Sequence, residues 1–272
     1  MKTNYRLGGL LTLFAALLGI GGHFFLFLNW YQTGMQAESA EPGCEILLKY
    51  IMPGLADAGI LGGVLFAVSA YGFFTRRNWA FPLSVIAIVL ALLASWFINV
   101  PFMAANLPPV YFTLFWPYLI FYFLLMIPVG RVSWSRTLLG LVTGVAYITC
   151  FMNGVSSTSR IITVGADIFV LVQRLHFVAM LGWGVVTAGI LLRPMEWMRV
   201  LGLVSGGLEL AVGIPLALVT AQRLGRFSLF ALAPIFSLIL LVVLLWPGLW
   251  QRLMEGKEKE PVSQAEAIGQ TV

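Results

Sequence analysis

Eight long apolar stretches divide the chain, at roughly 7–29, 51–74, 80–104, 108–129, 136–155, 165–192, 197–220 and 226–250. Crossing the hydrocarbon of a bilayer takes about 20 residues of helix, and each stretch has that length. The stretches are continuously apolar. A barrel strand would instead alternate apolar and polar positions over about 10 residues. The pattern therefore predicts helices, not strands. The fold class is all-α: a polytopic transmembrane helical bundle of about eight spans. Most connections are short, so consecutive helices pack as antiparallel neighbours. The connection 30–50 is the exception and reads as a long loop carrying Glu38, Glu41, Cys44 and Glu45.

Composition agrees with the pattern. Of 272 residues 60% are hydrophobic and 10% charged, with a mean hydropathy of +0.94. A soluble domain carries about 25% charged residues. The first stretch follows Lys2 and Arg6, as a signal peptide would. Its apolar part runs to about 22 residues, against the usual 7–15 of a signal peptide, so it reads as a retained span. The membrane domain is expected over 1–254, with a disordered polar tail over 255–272.

The net charge of +5 follows topology and does not point to nucleic acid. Lys2, Arg6, Arg76, Arg77, Arg131, Arg136, Arg193, Arg199, Arg252, Lys257 and Lys259 share one side, and Lys49, Arg160, Arg223 and Arg226 the other. The positive-inside rule places the first group, with both termini, on the cytoplasmic side of a plasma (inner) membrane. Trp79, Trp134, Trp197, Trp246 and Trp250 fall at the same level and read as an interfacial belt.

A weak internal repeat runs along the chain. Phe27-Leu28-Asn29, Phe97-Ile98-Asn99 and Phe151-Met152-Asn153 sit where spans one, three and five end. They suggest four related hairpins, or simply asparagine used as a helix cap. Glycines four apart, at Gly59 and Gly63, Gly140 and Gly144, and Gly202 and Gly206, predict close helix crossings.

Polar residues inside spans carry the functional signal, because a central charge costs about 2.5–3.5 kcal/mol to insert. The candidate ligand-binding residues are Glu209, His23, His176, Arg174, Asp167 and Asp57. Glu209 falls near the middle of span seven on a face with Gly202, Ser205, Gly206 and Gly213, so it looks into the bundle. Arg174 and Asp167 are seven apart, on one face of span six, and the arginine can reach outward toward the aspartate. His23 and His176 are the only histidines. Their expected depths would let the rings meet and hold a b-type haem, which needs two such ligands. Cys44 and Cys150 both map to the outer side, where a disulfide can form.

Other chemistry is missing. There is no P-loop, no His-Glu-x-x-His and no Gly-x-Ser-x-Gly, and two histidines cannot form a three-histidine zinc site. Three readings follow. One is binding or transport of a small solute or lipid in an outward-facing polar pocket, with Glu209 in its floor and His23 and His176 in its walls. A second is electron transfer through haem on the histidine pair. The third is a non-catalytic subunit or assembly factor with partner membrane subunits. The bilayer is the surrounding partner in all three.

Overall fold

A computed structural model describes residues 3–39, 44–165, 167–225 and 227–255. The expected disordered tail lies outside these residues except for Glu255. Among the described residues there is no strand, and nine helices follow one another. They are α1 (Tyr5–Glu38), α2 (Cys44–Phe74), α3 (Ala80–Ala104), α4 (Phe112–Val129), α5 (Trp134–Val164), α6 (Asp167–Leu192), α7 (Glu196–Leu224), α8 (Leu229–Leu245) and α9 (Pro247–Glu255).

Helices α1 to α7 are each long and apolar enough to cross a membrane. The eighth expected span is shorter than its apolar stretch: α8 has 17 residues. Pro247 disfavours helical backbone at the residue before it, and Trp246 accordingly turns extended at ψ 99°. The chain restarts as the separate helix α9. The expected loop 30–50 is also mostly helix, because α1 continues to Glu38 and α2 begins at Cys44. Gln36, Ala37 and Glu38 favour helix, and among the described residues of that stretch Gly34 is the one weak helix former.

The helices form two rings of four. In the N-terminal ring α1 packs on α2, α2 on α3, α3 on α4, and α4 closes back on α1. The C-terminal ring repeats this with α5, α6, α7 and α8. The rings meet where α2 packs on α5 and α3 on α6. One end of the molecule carries Asn4, the turns after Phe74, Val129 and Leu192, and α9. We call it the proximal end. The turns after Glu38, Ala104, Val164 and Leu224 form the distal end.

Close crossings follow the glycines. A Cβ at Gly63 would lie 2.7 Å from the Ile20 backbone nitrogen of α1, and one at Gly206 2.8 Å from Leu241 Cγ of α8. At the proximal end arginines cap the carbonyl-rich ends of neighbouring helices. Arg136 donates to the Ile190, Leu191 and Leu192 carbonyls at 2.9 to 3.3 Å, and Arg199 Nε donates to Leu244 O at 2.6 Å. Each places a cation at the negative end of a helix dipole and satisfies carbonyls the helix leaves open. Trp79, Trp134, Trp197 and Trp246 are exposed at this end, as an interfacial belt requires. Trp250 is not part of it: α9 turns it inward, to 5% exposure.

Candidate functional site

The C-terminal ring encloses a polar network built from all four of its helices. Glu209 on α7 is fully buried. Its Oε2 lies 2.9 Å from His176 Nδ1 of α6. Its Oε1 accepts from Asn153 Nδ2 of α5 at 3.0 Å. The second hydrogen of that amide goes to the Phe230 carbonyl at the start of α8, also at 3.0 Å. The Cys150 thiol lies within hydrogen-bonding reach of Glu209 and of Ser237 on α8. Ser237 Oγ in turn accepts from Trp183 Nε1 at 3.3 Å. Each oxygen of the carboxyl group thus has a hydrogen-bond partner, which is what a buried polar group requires. Gly213, one turn on, leaves the space: a Cβ there would lie 2.6 Å from Glu209 Oε1.

This arrangement can hold a proton between an imidazole and a carboxylate. It also leaves two buried acceptor positions without a partner, His176 Nε2 and Asn153 Oδ1. A neutral imidazole that donates from Nδ1 carries its lone pair on Nε2.

His23 belongs to the other ring. The backbone of α1 forms a π-helical turn over Leu18–Gly22 immediately before it. In such a turn the carbonyl four residues back is released from its usual partner, and His23 Nδ1 lies 3.0 Å from that carbonyl, Gly19 O. Nδ1 is therefore the protonated nitrogen. The ring is flanked by Tyr118 and Tyr111 of the α4 region, with centroids 6.4 and 6.3 Å away. Its Nε2 edge rests against Gly59 of α2, where even a methyl group would collide with it.

The expected meeting of the histidines therefore does not occur. They share no hydrogen bond and no ring contact among the described residues, and each is held by a different ring of helices. The pair does not fit a bis-histidine haem: the two rings do not meet, and the Nε2 atom of His23 that would bind iron faces a glycine backbone. The expected Asp167–Arg174 pair is also not made. Both side chains are exposed, and neither ion pair among the described residues includes them. Asp57 is exposed on α2. Cys150 is a buried free thiol, and the side chain of Cys44 lies outside the described residues.

A cavity of about 640 Å³ opens at the distal end between the two rings. The ends of α1, α2 and α3 form one wall. The distal part of α5, Thr220 of α7 and residues 227–230 form the other. Neither Glu209 nor either histidine lines it. Its polar lining comes from Ser156, Ser159, Arg160, Thr220 and Ser228, with Glu38 and Asn106 on the facing wall. Sequence reasoning ended span five at 155 and so missed this surface. The signal was the run Ser156-Ser157-Thr158-Ser159-Arg160, which reads as loop by hydropathy. It is helical in the structure, and Ser157 and Thr158 satisfy their hydroxyls within that helix, on the Asn153 and Gly154 carbonyls at 2.6 and 3.1 Å. The network and the cavity adjoin at Phe230. Its residue lines the cavity, and its carbonyl is held by Asn153.

Comparison of the chain with protein-family models, with curated proteins and with solved structures finds no match; what can be said of its kind is that it is a multi-pass, all-α integral membrane protein.

Proposed function

We propose that this membrane protein binds a small solute or lipid in the distal cavity, as a carrier or receptor in a plasma (inner) membrane. The lysine and arginine distribution supports a cytoplasmic proximal end, with both termini there, and an outward-facing cavity. The observation that carries the reading is the cavity itself: its volume lies within the range of about 300–1,000 Å³ that small-molecule sites occupy, and it sits where two helix rings meet. The His176–Glu209 pair supports it from below. Asn153 links that pair to the Phe230 carbonyl, so a change in the cavity floor reaches the carboxylate through two hydrogen bonds.

Access tests this. In a Cys44→Ala background, Ser156→Cys should react with a membrane-impermeant maleimide from the outer side of sealed vesicles only, and adding Val155→Trp should block the reaction. A Ser156→Cys protein that reacts from neither side has no accessible cavity, and the reading fails.

One observation favours a second reading, a subunit of a larger membrane assembly. Asp57 and Arg174 are exposed on the surface of the bundle within helices that cross the membrane, where lipid is a poor neighbour for a charge. Stoichiometric co-purification of another membrane protein, lost on Asp57→Leu, would support that role.

A further inference from the structure

We propose that the ligand of the distal cavity is an amphiphile with one anionic centre, a phosphate or carboxylate carried on an apolar chain. The inference rests on the cavity reading above and names its ligand class.

Polarity in the cavity is graded along α5. Arg160 is half-buried at the mouth, and Ser156, one turn below, lies on the same face. Val155 and Met152 are five and eight residues further from the mouth, about 7 and 12 Å deeper at the rise of an α-helix. Both are buried hydrophobic residues that line the cavity, and Phe97 of α3 joins them from the facing wall. A cationic mouth above an apolar floor fits a molecule whose own polarity changes from one end to the other. A uniformly polar solute would leave the floor unmatched, and a plain hydrocarbon would leave the guanidinium without an anionic partner.

The identity of the cation narrows the headgroup. A guanidinium presents a planar fork of donors that matches the paired oxygens of a phosphate or carboxylate. Among the described residues Arg160 forms no salt bridge. The other charged residue of the lining, Glu38, ends α1 on the opposite wall. One guanidinium in the lining matches one anionic centre.

The test uses the full-length protein in dodecyl maltoside micelles, with native mass spectrometry as the readout. The probes are dodecyl phosphate, inorganic phosphate and dodecyltrimethylammonium. Dodecyl phosphate should bind one per chain. Arg160→Gln should weaken it by at least about tenfold, since hydrogen bonds to a charged group are the strong ones, and Arg160→Lys should restore part of the loss. Inorganic phosphate should not compete at equal concentration. If it binds as tightly as dodecyl phosphate, the site takes a free anion and the apolar chain has no role. Equal binding of dodecyltrimethylammonium, or an Arg160→Gln protein that binds as the parent does, overturns the anionic assignment. Val155→Trp separates the two levels. Binding lost in Val155→Trp but unchanged in Arg160→Gln leaves the cavity reading standing and removes the anion. Binding unchanged in both, or absent with every probe, removes the cavity reading as well.

Discussion

The two rings of helices share a plan and differ in how each holds its one histidine. In the N-terminal ring, His23 gives its Nδ1 hydrogen to a carbonyl of its own helix and packs its other edge on glycine. Its neighbours are tyrosine rings. Their hydroxyls, on Tyr111 and Tyr118, are buried without a partner. In the C-terminal ring, His176 gives its Nδ1 hydrogen to a carboxylate on the next helix, and α5 and α8 join through Asn153, Cys150, Phe230 and Ser237. A polar group satisfied within its own helix says nothing about which neighbour that helix should choose. The N-terminal ring therefore has to be specified by shape, and its glycine crossings do this. A polar group satisfied across helices fixes register directly. The C-terminal ring is held by directional bonds in addition to shape.

Only one of these cores sets an imidazole against a carboxyl group. Moving His23 requires moving the backbone of α1 or α2. The His176–Glu209 pair is two hydrogen bonds from the Phe230 carbonyl beside the cavity. The ring with the polar core is also the ring that supplies Arg160 and the serines of the cavity.

The largest expected effect breaks the polar core. Glu209→Ala leaves His176 Nδ1 buried without its partner and removes one of the two acceptors of Asn153 Nδ2. Removing one member of a buried pair costs about 3–5 kcal/mol, so the variant should unfold at a much lower SDS fraction in mixed micelles. Glu209→Gln keeps one acceptor and should lose less, about 1–3 kcal/mol. If Glu209→Ala unfolds with the parent, directional bonds do not hold this ring. The matching test in the N-terminal ring is Gly63→Ala. A methyl there would meet the Gly19–Ile20 backbone of α1 at 2.7 to 2.8 Å, and backbone cannot rotate away. Overpacking of this kind costs about 1–3 kcal/mol. A fully stable Gly63→Ala would show that shape is not what specifies the crossing.

A double-mutant cycle sharpens the comparison. His176→Ala and Glu209→Gln should couple by about 0.5–3 kcal/mol, as residues sharing a hydrogen bond do. His23→Ala and Glu209→Gln should add to within about 0.5 kcal/mol. Coupling between His23 and Glu209 would mean that the rings communicate through a route the hydrogen bonds do not provide.

These differences were only partly legible in the sequence. Hydropathy located the helices because lipid demands long apolar runs, and it misplaced their ends where other forces decide. Pro247 cut the last span, and α5 ran on past residue 155 through polar residues whose hydroxyls are satisfied inside the helix. The inward face of Glu209 was legible from the small residues around it. Its partners were not. Pairing across helices depends on rotation and depth to within an ångström or two, and a one-residue error turns a side chain by about 100°. Asn153 shows the point. Together with Asn29 and Asn99 it looked like a repeated helix cap. In the structure Asn29 bonds its own helix, Asn99 caps as expected by donating to the Ser95 and Trp96 carbonyls where the stretch Ala80–Trp96 ends, and Asn153 alone reaches across. Asp167 and Arg174 share a face as expected and are not ion-paired. Spacing put them on one face, but that face is exposed, and nothing packs the two side chains together.

The smallest expected effect asks whether the C-terminal ring also depends on shape, and two adjacent glycines of α7 answer it. One residue is a rotation of about 100°, so Gly206 and Gly207 look in different directions. Gly206 is packed: a Cβ there would come within 2.8 Å of Leu241 and 3.1 Å of Trp183. Gly207 is exposed and would meet nothing within 4 Å. The helix propensity gained on replacing glycine by alanine is common to both sites and amounts to about 0.8–1.0 kcal/mol. At Gly207 that gain should stand unopposed, so Gly207→Ala should be neutral or slightly more resistant to SDS. At Gly206 overpacking opposes it, although Leu241 is a side chain and can yield where the backbone beside Gly63 cannot. Gly206→Ala should therefore be less stable than Gly207→Ala, by less than Gly63→Ala differs from the parent. If Gly206→Ala is as stable as Gly207→Ala while Glu209→Ala unfolds readily, shape is dispensable in this ring and the polar core alone sets its register. If instead Gly206→Ala is as damaging as Gly63→Ala, shape constrains the two rings alike, and the Glu209 variants alone measure what the directional bonds add.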